Sequence, residues 1–266
     1  MDFYDTHAHS FLSFDSEENP RNYLSKITKV VALTEHLEMD YAYVEGEELI
    51  PNFEQTLEWQ REWAEEKNGN RLLMGVEIGY SNGNEDRLKR AIAPYSFDLK
   101  LLSTHHNNIY DFMDEKANAT PEEMLDIFLT QSEEALDHFP EAQIFCHFDY
   151  GFRIYDMNPN QFKAYENRLV PILKKVIKNG LALELNSKSI FNYENLPMYK
   201  WIIPIYQKLG GTLFSIGSDA HKSEDHYMKF DELIQLLDQH GVESVAQFYG
   251  QKLSHFPIVE LKNKFN

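Results

Sequence analysis

The sequence predicts an α/β barrel occupying a single domain, residues 1–266, and three observations carry that expectation. Strand-like apolar runs alternate with helical patterns, which is the signature of parallel βαβ units. Seven such units favour a closed or nearly closed barrel over an open doubly wound sheet. Nearly every strand-like run also ends in a residue that can bind a metal, at the mouth where barrels carry their chemistry.

In chain order, Phe3–Asp5 leads into His7 and His9, and a short helix is expected over Pro20–Lys26. Val30–Thr34 leads into His36. Asn52–Asn68 carries Phe53, Leu57, Trp63 and Ala64 amid Glu and Lys, and Gly69 closes that helix. Leu72–Val76 runs into Glu77, followed by a helix at Glu85–Ala93. Asp98–Ser103 runs into His105, and the polar loop Asn107–Ala119 sits where barrels place functional loops. Thr120-Pro121-Glu122-Glu123 supplies a capping threonine, a proline at the first helical position and a Glu three on, opening a helix to Asp137. Gln143–Cys146 leads into His147. Gln161–Lys178 ends at Asn179-Gly180, a natural stop before the run Leu181–Leu185, which ends at Asn186 and Ser187. Asn195–Leu209 ends at Gly210-Gly211, Thr212–Ile216 runs into Asp219 and His221, and Asp225–His240 ends at Gly241. No repeat, low-complexity tract or linker interrupts the series.

Charge and composition narrow the function. A net charge of -18 repels phosphate backbones at long range, so nucleic acid is not an expected partner. A small phosphate ester remains open, because bound divalent ions would supply local positive charge. The one cysteine, Cys146, rules out a disulfide framework and a thiolate metal cage. Strand alternation is expected to turn it away from His147, towards the helices, as an inert thiol. No apolar run approaches the roughly 20 residues that span a membrane. With no secretory leader visible, a cytoplasmic location is expected, and the oligomeric state is left open.

His7-x-His9 and Asp219-x-His221 each place two donors two apart at a strand end, where both point the same way. A lone strand-end histidine is more often a hydrogen-bonded structural group. Six of them (His7, His9, His36, His105, His147 and His221) with Glu77, Asp219 and the loop acid Asp15 argue instead for a polynuclear metal site. Three ionised carboxylates against three divalent ions leave a positive surplus that suits a hydroxide and a phosphate dianion. Imidazole and carboxylate donors suit zinc, iron or manganese alike. Spacing alone does not separate His105 from His106.

Asp5-Thr6-His7-Ala8-His9-Ser10, Thr34-Glu35-His36, Gly75-Val76-Glu77, Ser103-Thr104-His105, His147-Phe148-Asp149 and Gly217-Ser218-Asp219-Ala220-His221 resemble the ordered motifs of the PHP (polymerase and histidinol phosphatase) family. Phe14-Asp15-Ser16-Glu17-Glu18 with Pro20-Arg21, Tyr150 followed by Arg153, and Glu184-Leu185-Asn186 are most similar to its stand-alone histidinol-phosphate phosphatases. The resemblance implies a distorted seven-stranded (β/α) barrel with a trinuclear centre. It assigns His7, His9, Glu77 and Asp219 to one metal, and Glu77, His105 and His147 to a second. Asp15, His36 and His221 would hold a third, although some family members have histidine in place of Asp15.

The resemblance further implies hydrolysis of L-histidinol phosphate by a hydroxide bridging the metals over Glu77, in histidine biosynthesis. Another phosphomonoester (a phosphotyrosine peptide, a sugar phosphate or a nucleotide) is the alternative. Arg153 is the expected phosphate clamp, with Arg21 second. Asp149 and His106 are candidates to protonate the leaving alkoxide, and Asp149 alternatively to orient an imidazole. Asp111, Asp114 and Glu115 are loop acids expected either to meet a cationic amine or equally to be solvated. His138, His226, His240 and His255 are expected to be structural, capping or solvated, and Phe152, Tyr155, Trp201 and Tyr206 to be mostly core.

Overall fold

The computed structural model describes residues 2–25, 27–41, 47–114 and 119–265, the side chain of Pro159 excepted. Lys26 and Glu115 of the sequence expectations lie outside the described residues. Seven strands form one sheet: β1 (Val30–Tyr41), β2 (Glu47–Leu49), β3 (Arg71–Gly79), β4 (Leu99–Ser103), β5 (Ile144–Phe145), β6 (Ala182–Asn186) and β7 (Phe214–Gly217). Their order is β2-β1-β3-β4-β5-β6-β7, and every pairing is parallel except β1 with β2. A two-stranded antiparallel hairpin, β8 (Ser244–Tyr249) and β9 (Lys252–Pro257), follows.

Membership of the sheet differs from expectation. Phe3–Asp5 is buried but is not a strand, and β2 makes up the seventh. Residues 3–9 make single hydrogen bonds instead of a ladder. The Ala8 carbonyl accepts from Thr34 N of β1 at 2.8 Å, and His9 N donates to Ala220 O, just beyond β7, at 2.8 Å. β1 continues seven residues past Thr34, because Glu35 to Tyr41 keep pairing with β3 and then β2.

Nine helices lie between or after the strands among the described residues: α1 (Phe53–Glu65), α2 (Glu85–Ile92), α3 (Pro121–His138), α4 (Pro159–Ala164), α5 (Glu166–Asn179), α6 (Ser187–Phe191), α7 (Leu196–Lys208), α8 (Phe230–Gln239) and α9 (Ile258–Phe265). The capping box forms: Thr120 Oγ1 accepts from Glu123 N at 3.2 Å, and the Glu123 carboxylate accepts from Thr120 N at 2.8 Å. Gly180 ends α5 in the left-handed region at φ 74°. The expected helix at Pro20–Lys26 is only a 3₁₀ turn, Pro20–Tyr23, and the span 161–178 is divided at Tyr165. No helix among the described residues is long and apolar enough to cross a membrane.

Strand alternation sorts side chains into two layers. One face sends Met74, Val76, Ile78, Phe145, Leu183 and Ile216 into the main core under the helices. The other collects Val30, Ala32, Leu73, Leu99, Leu101 and Ile144, and Ala246 and Phe248 of the hairpin pack against them. Burial of each large side chain stabilises by about 1.5–3 kcal/mol. This apolar floor supports the site.

Candidate metal centre

Above the floor the same strand faces turn polar. On β1, Val30 and Ala32 are followed two by two by Thr34, His36 and Glu38, all buried. On β3, Leu73 is followed by Gly75 and Glu77. Glu77 is fully buried at the centre. Its Oε2 lies 3.3 Å from His7 Nε2, 3.6 Å from His9 Nε2 and 2.9 Å from His36 Nδ1. Its Oε1 lies 3.1 Å from His105 Nε2 and 2.7 Å from His147 Nε2. Asp219 Oδ1 is 3.6 Å from His9 Nε2 and 3.9 Å from His7 Nε2. Asp15 Oδ2 stands 2.9 Å from His221 Nε2 and 3.5 Å from His36 Nε2. All nine residues expected to ligate metal are therefore brought together, and His7, His9 and Asp219, His36, Glu77 and His105, and His9, His36 and His221 each have donor atoms within 4.8 Å of one another.

The donor set fits metal on a physical criterion. His7 Nε2 and His9 Nε2 are buried without a hydrogen-bond partner. Each such atom costs about 1–3 kcal/mol when left unsatisfied, and a shared cation removes that cost. The electrostatics agree. Burial alone would lower the pKa of His7, yet Glu184, Glu77 and Asp219 carry it well above its ordinary value. Burial would raise Glu77, and His105, His36 and His7 instead hold it well below the carboxylate range. These carboxylates attract positive charge. Burial, together with His36 and His221 stacked at 4.2 and 4.3 Å, keeps His9 in the neutral form that ligation requires.

Two carboxylates that sequence reasoning gave no role aim the imidazoles. Glu184 Oε1 accepts from His7 Nδ1 at 2.8 Å, and Glu38 Oε1 from His105 Nδ1 at 2.6 Å. Holding Nδ1 fixes the tautomer and leaves Nε2 for the centre. Both carboxylates occupy space left by a glycine: a Cβ at Gly79 would overlap the Glu38 carboxylate, and one at Gly217 the Glu184 carboxylate. Glu38 had a readable signal, since it lies two residues beyond His36 on one strand face.

A pocket of about 180 Å³ opens onto the centre. Arg153 lines it, with Nε donating to Ser189 Oγ at 2.8 Å and one terminal nitrogen 3.3 Å from Asp219 Oδ2. Lys188, which sequence reasoning missed, is the second cation on the wall, 3.4 Å from Asp219 Oδ1 and 3.2 Å from His221 Nδ1. Tyr41, Tyr150 and Met113 line the pocket near His105.

Four expectations are corrected. Arg21 is off the pocket, paired with Glu66 over the Trp63 ring. His106 is buried with Nε2 3.3 Å from Glu38 Oε2, and does not line the pocket. Asp149 does not reach the pocket either, because its carboxylate accepts from Tyr199 OH and Asn195 Nδ2, both at 2.8 Å. Cys146 faces inwards with His147, not towards the helices: β5 stops at Phe145 and His147 has φ 20°, which breaks the alternation. Burial, reinforced by Glu77, Glu184 and Asp219, pushes its thiol pKa well up, and Sγ lies 3.2 Å from Leu102 O as a donor. Among the remaining histidines, His226 packs between Tyr23 and Tyr227, His138 ends α3, His240 caps α8, and His255 lies in β9. Phe152 and Tyr206 are core, with Tyr155 and Trp201 packed against it.

Comparison with known proteins agrees with this geometry. Residues 5–188 match the PHP domain. A histidinol-phosphatase of Lactococcus lactis is 25% identical over 258 residues, covering 94% of this chain and 95% of that protein. A probable histidinol-phosphatase of Thermotoga maritima is 28% identical over 253 residues, covering 94% and 97%. The fold matches a crystal structure of histidinol phosphate phosphatase from Lactococcus lactis complexed with zinc, L-histidinol and phosphate, with a TM-score of 0.81, 23% identity, and coverage of 94% of this chain and 98% of that one.

Proposed function

The chain belongs to the PHP domain family, and on that premise we propose that this metal-dependent phosphatase hydrolyses L-histidinol phosphate to histidinol and phosphate. The observation that carries the chemistry is the convergence of six imidazoles with Glu77, Asp219 and Asp15, those of His7 and His9 having buried donor atoms that lack a hydrogen bond. The substrate rests on the relatives, which are histidinol phosphatases over almost their whole length. Histidine biosynthesis is the corresponding role, and a buried thiol without a disulfide fits the cytoplasm.

In this reading His7, His9, Glu77 and Asp219 hold one metal, Glu77, His105 and His147 a second, and Asp15, His36 and His221 a third. Zinc, iron and manganese all suit these donors. Divalent ions bound there would turn water into a hydroxide nucleophile and neutralise charge on the phosphoryl group. Glu77 belongs to two of these sets, with one carboxylate oxygen near His7 and His9 and the other near His105 and His147. Arg153 grips two phosphate oxygens, anchored by Ser189 and Asn186. Lys188 adds a second positive charge beside it. Residues 3–9, hydrogen-bonded to both Thr34 and Ala220, complete a distorted (β/α) barrel and deliver His7 and His9 to its mouth.

The test is phosphate release from L-histidinol phosphate by protein purified with its metals. A kcat/KM above about 10⁴ M⁻¹s⁻¹ supports the assignment. A value orders of magnitude lower with metals bound moves the function to another phosphomonoester.

A further inference from the structure

Beyond the metals, a buried carboxylate that the hydrolytic chemistry does not use lies behind the pocket wall, against Tyr41 and Tyr150. Asp111 is 2% exposed and follows the loop from His105. Its Oδ2 accepts from Tyr41 OH at 2.9 Å, both of its oxygens lie 3.1 Å from Tyr150 OH, and Oδ1 accepts from Met113 N at 2.7 Å. Burial raises the pKa of Asp111, and these three donors oppose that by favouring the ionised form that accepts them. Tyr41 comes from the end of β1 and Tyr150 from the 3₁₀ turn Tyr150–Phe152 after β5. One carboxylate thus ties together two walls of one pocket.

The direction of these hydrogen bonds decides what the wall can bind. A carboxylate only accepts, so each tyrosine spends its proton on Asp111 and presents lone pairs elsewhere. The wall is therefore an acceptor surface backed by the Asp111 carboxylate and its negative charge. In a site shielded from water that charge is felt more strongly than in solvent. The opposite polarity lies close by. The Arg153 guanidinium covers the Tyr150 ring at 4.9 Å from its centroid, and Lys188 lines the same pocket. Tyr150 spans the two, with its ring face under the phosphate-gripping cation and its hydroxyl on the anion.

We propose that Asp111, acting through the Tyr41 and Tyr150 hydroxyls, forms the subsite for a protonated amine on the leaving group, so that the pocket selects phosphomonoesters with a cationic leaving group over those with an uncharged one. This rests on the phosphomonoesterase reading and deepens it: the phosphate lies towards Arg153, and the ammonium or imidazole N–H groups lie towards the tyrosines. Asp111 is a positioning residue, and the tyrosine oxygens make the contact.

The experiment compares wild type and Asp111→Asn, both metal-loaded, on L-histidinol phosphate, O-phosphoethanolamine and p-nitrophenyl phosphate, whose leaving group carries no positive charge. Tyr150→Phe and Tyr41→Phe serve as second variants that leave the carboxylate in place. A hydrogen bond to a charged group is worth enough to expect about a tenfold loss of kcat/KM on the two amine-bearing esters. The loss falls in KM with kcat little changed, as for removal of uniform binding, while p-nitrophenyl phosphate is hydrolysed as before. Equal losses on all three esters, or a wild type with no preference for the amine-bearing esters over p-nitrophenyl phosphate, overturn the proposal. Preference for O-phosphoethanolamine without activity on L-histidinol phosphate upholds the subsite and defeats the histidinol assignment. Strong histidinol-phosphate turnover unaffected in its selectivity by Asp111→Asn does the reverse.

Discussion

The two ends of the sheet interior are built by the same strands and are equally buried, yet they behave as opposites. At one end Leu99 and Leu101 of β4, Ile144 of β5 and Phe248 of the hairpin close a dry apolar floor. At the other, a few residues further along those strands, His105, His147 and Glu77 are as deeply buried but keep donor atoms facing one another. The difference teaches how burial should be read. At the floor, burial stabilises the fold through apolar area. At the mouth it costs free energy that only a bound cation offsets, so the mouth has been shaped by function and the floor by stability.

Substitutions at the two ends should therefore part company, and the largest effect belongs to the mouth. His9→Ala and Asp219→Ala are expected to lower kcat/KM about a thousandfold or more, since metal-derived charge stabilisation is worth several kcal/mol. Metal analysis of the purified variants should find less bound metal, and full activity would break the comparison at its root. Glu184→Gln touches no metal in the proposed sets, but it weakens the hold on His7. A loss of about 10–100-fold in metal affinity, read by competition with a chelator, is the expectation. Lys188→Ala should cost about tenfold in kcat/KM and weaken inhibition by inorganic phosphate, with metal content unchanged. At the floor, Leu101→Ala should lose about 2–5 kcal/mol of stability in denaturant while the folded enzyme keeps its turnover. A floor variant that stays stable but loses metal would show that the two ends are not separable.

Much of this division was legible before any coordinates. Strand ends are marked by abrupt apolar-to-polar changes, and all nine expected ligands fall together because a parallel sheet brings its C-terminal ends to one side. What escaped the sequence was lost at particular backbone events. Glu38 was missed because β1 was expected to stop at Thr34, whereas it runs to Tyr41 and carries Glu38 to the His105 ring. Asp149 and Cys146 were placed by alternation through His147, where the positive φ ends it. Lys188 lies on α6, a helix too short to leave a periodic signal. The β8–β9 hairpin and α9 were also unread, and the hairpin's inward residues are what seal the floor.

Residues 3–9 make no ladder and instead fasten individually to partners far along the chain. Asp5 accepts from Ser218 N across a separation of 213 residues, and Tyr4 N reaches Gln247 across 243. Contacts of that span raise the contact order of the fold, which slows folding as a whole. During synthesis His7 and His9 are made long before Asp219 and His221 exist. A chain that ends before Asp219 carries His7, His9, His36, Glu77 and His105 but neither Asp219 nor His221. The full donor set therefore exists only where both ends of the chain have met.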